Sequence, residues 1–346
     1  MKIAVIGGGL IGQERLEAIK RINEISNSAL EVSIVVDLDR SRLEKISEKY
    51  QCLVSGNLAD AFLVKPDWVF ISTPHEYVSG IIKECFEHKC NVLIEKPLGR
   101  SFNECNKIIE MKPQDIQLAV GFNYRFYLGI RKAMQDALDG RFGKIISVNM
   151  VLGHGNAPGM EKTWKLDPVK CGGGALIDPG IHLLDLVLSL SNGSIDVMQG
   201  ASWSGFWDTG IEEEVHVIMK DSLGTVFNIQ ASLNRWRSNF RLEINGVDGY
   251  GIVEGRGRSY GPQSYRVGKR WGWQSGLNQA DSEEVLIDSD PSNDSFLHQT
   301  AMLLSISLPG FELESNQLNI CNEIRAGQVM SLLDACRKSL NLPIIV

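Results

Sequence analysis

"KIAVIGGGLIGQERLEAIKRINEI", residues 2–25, decides the fold. A short run rich in Ile and Val is followed at once by Gly7-x-Gly9-x-x-Gly12 and then by a helix-like segment. Glycines at these spacings permit a tight turn, a close approach of backbone N–H groups to a pyrophosphate, and close packing of helix on strand. A Gly-rich turn after a strand has purely structural uses too, so the pattern needs support from its surroundings. The second strand-like run, "EVSIVVD", supplies it by ending in Asp37. A carboxylate there accepts both hydroxyls of an adenosine ribose and repels a 2'-phosphate. The expected cofactor is therefore NAD, with Arg40 three residues on as the feature that favours NADP.

Working outward, strand-like and helix-like runs alternate over residues 1–122: "DWVFIST", "NVLIEK" and "IQLAVGF" are separated by segments such as "EYVSGIIKECFEHK" and "SFNECNKIIEMK". That alternation predicts a doubly wound parallel sheet. From residue 123 the pattern changes to a helix near 127–139, a strand "KIISVNMVL", an apolar helix over 172–190, hairpin-like strands, and two closing helices near 293–307 and 316–339. The second domain, residues 123–346, is thus expected to be α/β with an open, mainly antiparallel sheet.

At 346 residues and 43% hydrophobic, the chain suits two globular domains. Its net charge of −7 offers no general attraction for nucleic acid or anionic membranes. No apolar run has transmembrane length and the first residues carry no signal-peptide pattern, so a cytoplasmic location is expected. Seven scattered cysteines do not resemble a secreted disulfide framework, and "CFEHKC" lacks a second ligand pair for zinc. No metal is expected.

Two polar residues interrupt the apolar stretch "GGGALIDPGIHLLDLVLSL", residues 172–190. Asp178 and His182 are four apart, which in a helix puts both on one face where they converge on one substrate. "LIEKPLGR" sets Lys96 and Pro97 at the end of a strand, where ligands bind in doubly wound sheets. A solvated lysine before a helix-starting proline, or a helix-entry Asp before Pro179, is the plainer account of each residue taken alone.

In order along the chain, Gly7-x-Gly9-x-x-Gly12, "STP" at 72–74, "EKP" at 95–97 and the Asp178/His182 segment resemble the glucose-fructose oxidoreductase / inositol dehydrogenase / MocA family of nicotinamide-dependent oxidoreductases. The resemblance runs through "GFNYRF" at 121–126 and "WKLDPVKCGGGALIDPGIHLLDL" at 164–186 to the final residues. It implies a Rossmann domain followed by an α/β domain whose open sheet forms a homodimer or homotetramer contact. It implies Lys96, Asp178 and His182 as the catalytic set. It further implies cofactor contacts from Gly7, Gly9, Leu10, Ile11, Gly12, Asp37, Arg40, Ser72, Thr73, Pro74, Glu95, Lys96 and Pro97, and substrate contacts from Lys96, Asn123, Arg125, Trp164, Asp178 and His182. The chain departs from the family's "TPxxxH" pattern: it reads "TPHEYV", with Val78 where a histidine is common and His75 three residues earlier.

Hydride transfer from a secondary alcohol leaves a hydroxyl proton to be removed, a task suited to neutral His182 near pH 7. Lys96 then stabilises the developing oxyanion, and Asp178 orients a hydroxyl. The expected reaction is oxidation of a sugar-like polyol with NAD. A glycosidase that oxidises a ring carbon transiently, and a nicotinamide-binding sensor, are the alternatives. Between residues 235 and 270 eight basic residues stand against three acidic ones, interleaved with Tyr260, Tyr265 and, just beyond, Trp271 and Trp273. That excess suggests a phosphorylated, nucleotide-linked or acidic sugar held by Arg256, Arg258 and Arg266. A solvated strand face or an oligomer contact is the alternative account.

Overall fold

The opening strand, β1 (Lys2–Ile6), buries four of its five residues, as an Ile- and Val-rich strand covered on both faces must. In the computed structural model, which describes residues 1–269, 283–285, 294–311 and 318–343, β1 lies inside a seven-stranded sheet. Its companions are β2 (Glu31–Val36), β3 (Leu53–Ser55), β4 (Trp68–Ile71), β5 (Asn91–Glu95), β6 (Leu118–Gly121) and a two-residue edge strand near the end of the chain, β15 (Cys321–Asn322). The order is β15-β6-β5-β4-β1-β2-β3, with every pair parallel except β15 against β6. Between the strands run α1 (Leu10–Ser26), α2 (Arg40–Tyr50), α3 (Asp60–Leu63), α4 (Val78–Glu87) and α5 (Phe102–Met111). Chain order reverses between β1 and β4, and ligands of such sheets bind beyond the carboxyl ends of the strands at that point.

Contacts divide the chain into one unit of Met1–Asn123 with Asn293–Met330, and a second of Tyr124–Ser292 with Ser331–Ile345. The expectation of a simple boundary at residue 123 therefore differs at the C-terminal end, where α9 (Asp294–Leu303) packs on α1 within the first unit. The reason is Arg15, fully buried on α1. It bonds Glu95 at 2.7 Å, Gln299 at 2.6 Å and Thr300 at 3.2 Å, and lies 4.7 Å from the Phe296 ring. A buried guanidinium needs that many acceptors, and α9 provides most of them.

The second unit contains α6 (Leu128–Leu138), β7 (Ile145–Gly153), α7 (Pro168–Cys171), α8 (Ile181–Leu190) and β8 (Ile195–Trp203). It continues with β9 (Glu214–Asp221), β10 (Val226–Ser232), β11 (Asn239–Gly246), β12 (Gly249–Glu254), β13 (Ser264–Lys269) and the backbone of β14 (Glu283–Val285). The eight strands order as β14-β13-β12-β11-β7-β10-β9-β8, antiparallel except for β10 beside β7. Alternation sets the two faces: along β9, Val215, Val217 and Met219 are buried, whereas His216, Ile218 and Lys220 are exposed. The last helix, α10 (Glu323–Ser339), closes the described chain.

Candidate active site

In the first unit the Gly-rich turn has the geometry its sequence requires. Gly7 adopts φ +95°, and a Cβ there would lie 2.6 Å from the Ser72 carbonyl oxygen. A Cβ on Gly12 would lie 1.9 Å from the Gly7 oxygen, so β1, α1 and the residues after β4 pack backbone to backbone. Gly9 is different: its Cβ position faces open space, and as N-cap of α1 it offers no side chain to the helix amides. Beside this turn, Ser72 Oγ and Thr73 Oγ1 are buried with no hydrogen-bond partner among the described residues. Uncapped amides and two hydroxyls awaiting partners fit a dinucleotide pyrophosphate. Leu10 is exposed, while Ile11 and Pro74 are half-buried around the same turn.

Asp37 follows β2, its carboxylate accepting from Gly8 N at 2.7 Å and from Arg42 at 2.9 Å. The cation on Asp37 is thus Arg42, the third residue of α2, whereas Arg40 is exposed at the first position of that helix. Glu95 bonds Arg15 at 2.7 Å, which gives it a structural task. Lys96 is half-buried just past β5, and Pro97 is buried beside it. In "TPHEYV", His75 is buried in a single 3-10 turn and Val78 starts α4 as a core residue.

The second unit corrects the reading of residues 172–190 as one helix. Residues 172–180 form turns between α7 and α8, and α8 starts only at Ile181. Asp178 therefore precedes the helix, and the argument from four-residue helical spacing does not apply. The three glycines explain the break. Gly172 and Gly173 adopt φ +91° and +137°, and a Cβ on Gly174 would lie 2.1 Å from the Glu212 oxygen. Buried Glu212, whose carboxyl burial pushes up, accepts from Gly174 N at 3.0 Å and Leu176 N at 3.1 Å. Arg337 on α10 bonds the Gly172 carbonyl.

What gathers the site is an aromatic residue. The Tyr124 ring stacks on His182 with centroids 4.0 Å apart and planes 19° from parallel. Burial raises the Tyr124 phenol well above its ordinary range; the nearby Arg256 charge opposes this, and Asp178 adds to it. Tyr260 is raised for the same leading reason, and it too senses both Arg256 and Asp178. Arg256 lies 3.7 Å over the Tyr260 ring, 5.2 Å from that of Tyr124, and donates to the Tyr127 hydroxyl at 2.9 Å. Asp178, His182, Arg256 and the three tyrosines thus form one charged and aromatic cluster, capable of holding a hydroxylated ring and handling its proton. Sequence reasoning missed Tyr124 and Tyr127; their only signal was membership of "NYRFY" directly after β6.

Other expected contacts have structural duties. Arg125 is buried against Asp185, with Nε to carboxylate at 2.6 Å, and Asn123 donates to Ser295 at 2.8 Å. Arg266 pairs with Glu254 at 2.8 Å, as does Arg241 at 2.5 Å, and Arg235 faces Glu214 at 3.5 Å. Three of the basic residues, Arg235, Arg241 and Arg266, thus face acids of the same sheet. Arg258 is exposed and Trp164 half-buried in short 3-10 turns. Arg270, Trp271 and Trp273 lie outside the described residues.

Residues 1–122 match the family model described as "Oxidoreductase family, NAD-binding Rossmann fold", and residues 130–250 match that of the "GFO/IDH/MocA C-terminal domain". Myo-inositol 2-dehydrogenase of Thermotoga maritima is 26% identical over 72% of this chain and 74% of its own length. D-glucoside 3-dehydrogenase of Escherichia coli is 26% identical over 54% of this chain and 53% of its own. The uncharacterized oxidoreductase YrbE of Bacillus subtilis is 26% identical over 53% of this chain, and the match again spans only about half, 51%, of the relative. Among solved structures, levoglucosan dehydrogenase in complex with NADH superposes with a TM-score of 0.82 at 16% identity, covering 100% of both chains. GenD2 from gentamicin A biosynthesis, in complex with NAD, gives 0.78 at 20% identity, covering 99% of this chain and 94% of that one. At such identities these two likenesses concern the fold.

Proposed function

Because the chain belongs to the glucose-fructose oxidoreductase / inositol dehydrogenase / MocA family and carries its NAD-binding Rossmann domain, we propose that it transfers a hydride between a secondary alcohol of a sugar or polyol and NAD. The observation that carries this reading is the His182 imidazole, buried and stacked on Tyr124, in a cluster that senses the Asp178 charge.

NAD, held at the Gly7–Gly12 turn, Asp37, Ser72 and Thr73, supplies the hydride acceptor. The protein's residues do the rest. A His182 ring nitrogen takes the proton of the reacting hydroxyl as the hydride departs, and stacking on Tyr124 fixes the plane in which that nitrogen is presented. Asp178 accepts a hydrogen bond from a neighbouring hydroxyl and so sets which carbon reacts. Lys96 supplies the positive charge that stabilises the oxygen as it becomes an alkoxide. The tyrosine cage around Arg256 offers apolar ring faces to the C–H side of a sugar.

Lys96→Ala and His182→Ala are expected to lower kcat about 100-fold or more, the usual worth of a general acid–base or oxyanion group, with NAD affinity changed less than about threefold. NADH formation on a panel of polyols and sugars, together with NAD titration, tests this. Near-normal turnover in either variant removes that residue from the reaction. Release of an aglycone without net NADH identifies the glycosidase alternative instead.

On its solvent side the sheet of the second unit leaves Trp203, Ile218 and Val226 exposed. We read that face as the contact with a second copy of the chain, because large apolar side chains left open on a sheet face are commonly covered. Among the described residues no helix is long and apolar enough to cross a membrane.

A further inference from the structure

A second concave site in the same unit has no part in the chemistry above. A cavity of about 460 Å3 opens among the loop after β7, the residues after β8 and those after β10. Its walls include Asn156, Glu161, Phe206, Trp207, Arg235 and Trp236, and its size falls within the roughly 300–1,000 Å3 typical of small-molecule sites.

Three observations say what it holds. First, Trp236 is 93% exposed, an unusual position for a large indole. It is braced at its edge by Phe206 at 6.0 Å, which is itself edge-on to Trp207 at 5.1 Å. Trp207 is anchored by its indole N–H to the Leu233 carbonyl at 3.0 Å. Trp207 is thus fixed, and Phe206 and Trp236 extend an aromatic wall from it. Second, two donors in the wall, Arg235 Nε and Asn156 Nδ2, are buried with no hydrogen-bond partner among the described residues. Buried donors of this kind require acceptors. Third, the lining contains one acid, Glu161, and one base, Arg235, and the guanidinium of Arg235 already faces Glu214 at 3.5 Å. No net positive charge is left for an anion.

A flat apolar wall, unsatisfied N–H donors and a neutral balance together describe a ligand with C–H faces and neutral hydroxyl oxygens. The cavity also lies at the same end of the sheet as the His182 cluster. Phe240, edge-on to Tyr124 at 5.9 Å, pairs with Leu152 of β7, and the cavity loop follows directly from the end of that strand.

Resting on the sugar oxidoreductase reading, we infer that the Trp236 cavity is a subsite for a second, neutral sugar ring, so that the substrate is a glycoside or disaccharide and not a free monosaccharide. Trp236 stacks on that ring, while Arg235 and Asn156 donate to its hydroxyls.

The test compares kcat/KM of the NAD-loaded protein for cellobiose, maltose and lactose with that for glucose and galactose. At least one disaccharide is expected to exceed its parent monosaccharide roughly tenfold, about the worth of one well-packed aromatic face, and this ratio should fall towards one in Trp236→Ala and recover partly in Trp236→Phe. A ratio near one in the wild type, or a ratio that survives Trp236→Ala, overturns the inference. So does a change of oligomeric state in Trp236→Ala by sedimentation, since the occupant is then a second copy of the chain. If no sugar of either kind reduces NAD, the oxidoreductase reading fails, and equilibrium dialysis of the three disaccharides reads the subsite separately. Binding to wild type and not to Trp236→Ala then sustains it; absence of binding refutes it.

Discussion

Asp37 shows how a single charge acquires its meaning from the group it meets. Its carboxylate carries Gly8 N and Arg42 together, so the acid proposed to receive the adenosine ribose also holds a cation beside it. Shortening the acid releases that cation towards a 2'-phosphate. In Asp37→Ser the ratio of NADP(H) to NAD(H) affinity is expected to rise at least about tenfold, the size of a gained charge-assisted contact, and the gain should vanish in Asp37→Ser/Arg42→Ala. Cofactor titrations by fluorescence decide it; an equal gain in the double variant would return the role to Arg40. Arg125 and Arg266 teach the same lesson in the other direction. One is buried on Asp185 and the other is paired with Glu254 of the neighbouring strand, so each meets an acid within its own unit. Such pairings join residues 60 and 12 positions apart and have no local signature.

At the scale of an element, residues 172–190 read as an apolar helix because their hydrophobic residues repeat at helical spacing, and from Ile181 onward that is what they are. Residues 172–180 obey a different constraint. Their backbone runs against that of Glu212 at a distance only glycine tolerates, with the Glu212 carboxylate closing the turn. Removing that acceptor strands two buried amides. Glu212→Ala is expected to cost about 2–4 kcal/mol, seen as a lower melting temperature in calorimetry and as faster hydrogen exchange at Gly174 and Leu176. Turnover should fall with it, because Asp178 sits at the end of this turn. Glu212→Gln, which keeps a carbonyl oxygen as acceptor, should lose less. Unchanged exchange in Glu212→Ala would show that the turn is held by other groups. Signals of this sort were half legible: three successive glycines announce a special backbone, but not the partner it approaches.

For the whole molecule, the open sheet of the second unit is where the proposed contact with a second copy can be tested. Ile218 is 44% exposed at the middle of β9, on the solvent side between Asn228 of β10 and Gln199 of β8, so, on the proposed contact, Ile218→Asp should shift the protein to monomers in sedimentation analysis while leaving NAD binding in place. Monomeric wild type would show that this face is simply solvated. Much of the architecture was readable from residue order alone. Strand–glycine–helix and the βα alternation specify a doubly wound sheet because parallel strands demand crossover helices and a pyrophosphate turn demands glycine at fixed spacings. The change of pattern after residue 123 likewise announces a mainly antiparallel sheet, since period-two alternation with short turns has few other solutions. Tertiary structure alone decided the rest: that α9 belongs with α1 through Arg15, that a two-residue β15 completes the first sheet, that Arg42 and not Arg40 sits on Asp37, and that Tyr124 lies on His182. Each of these depends on which distant groups meet when buried polar atoms seek partners and apolar faces close. Local spacing constrains backbone conformation and face, whereas the identity of a partner across the fold is set only when the chain is packed.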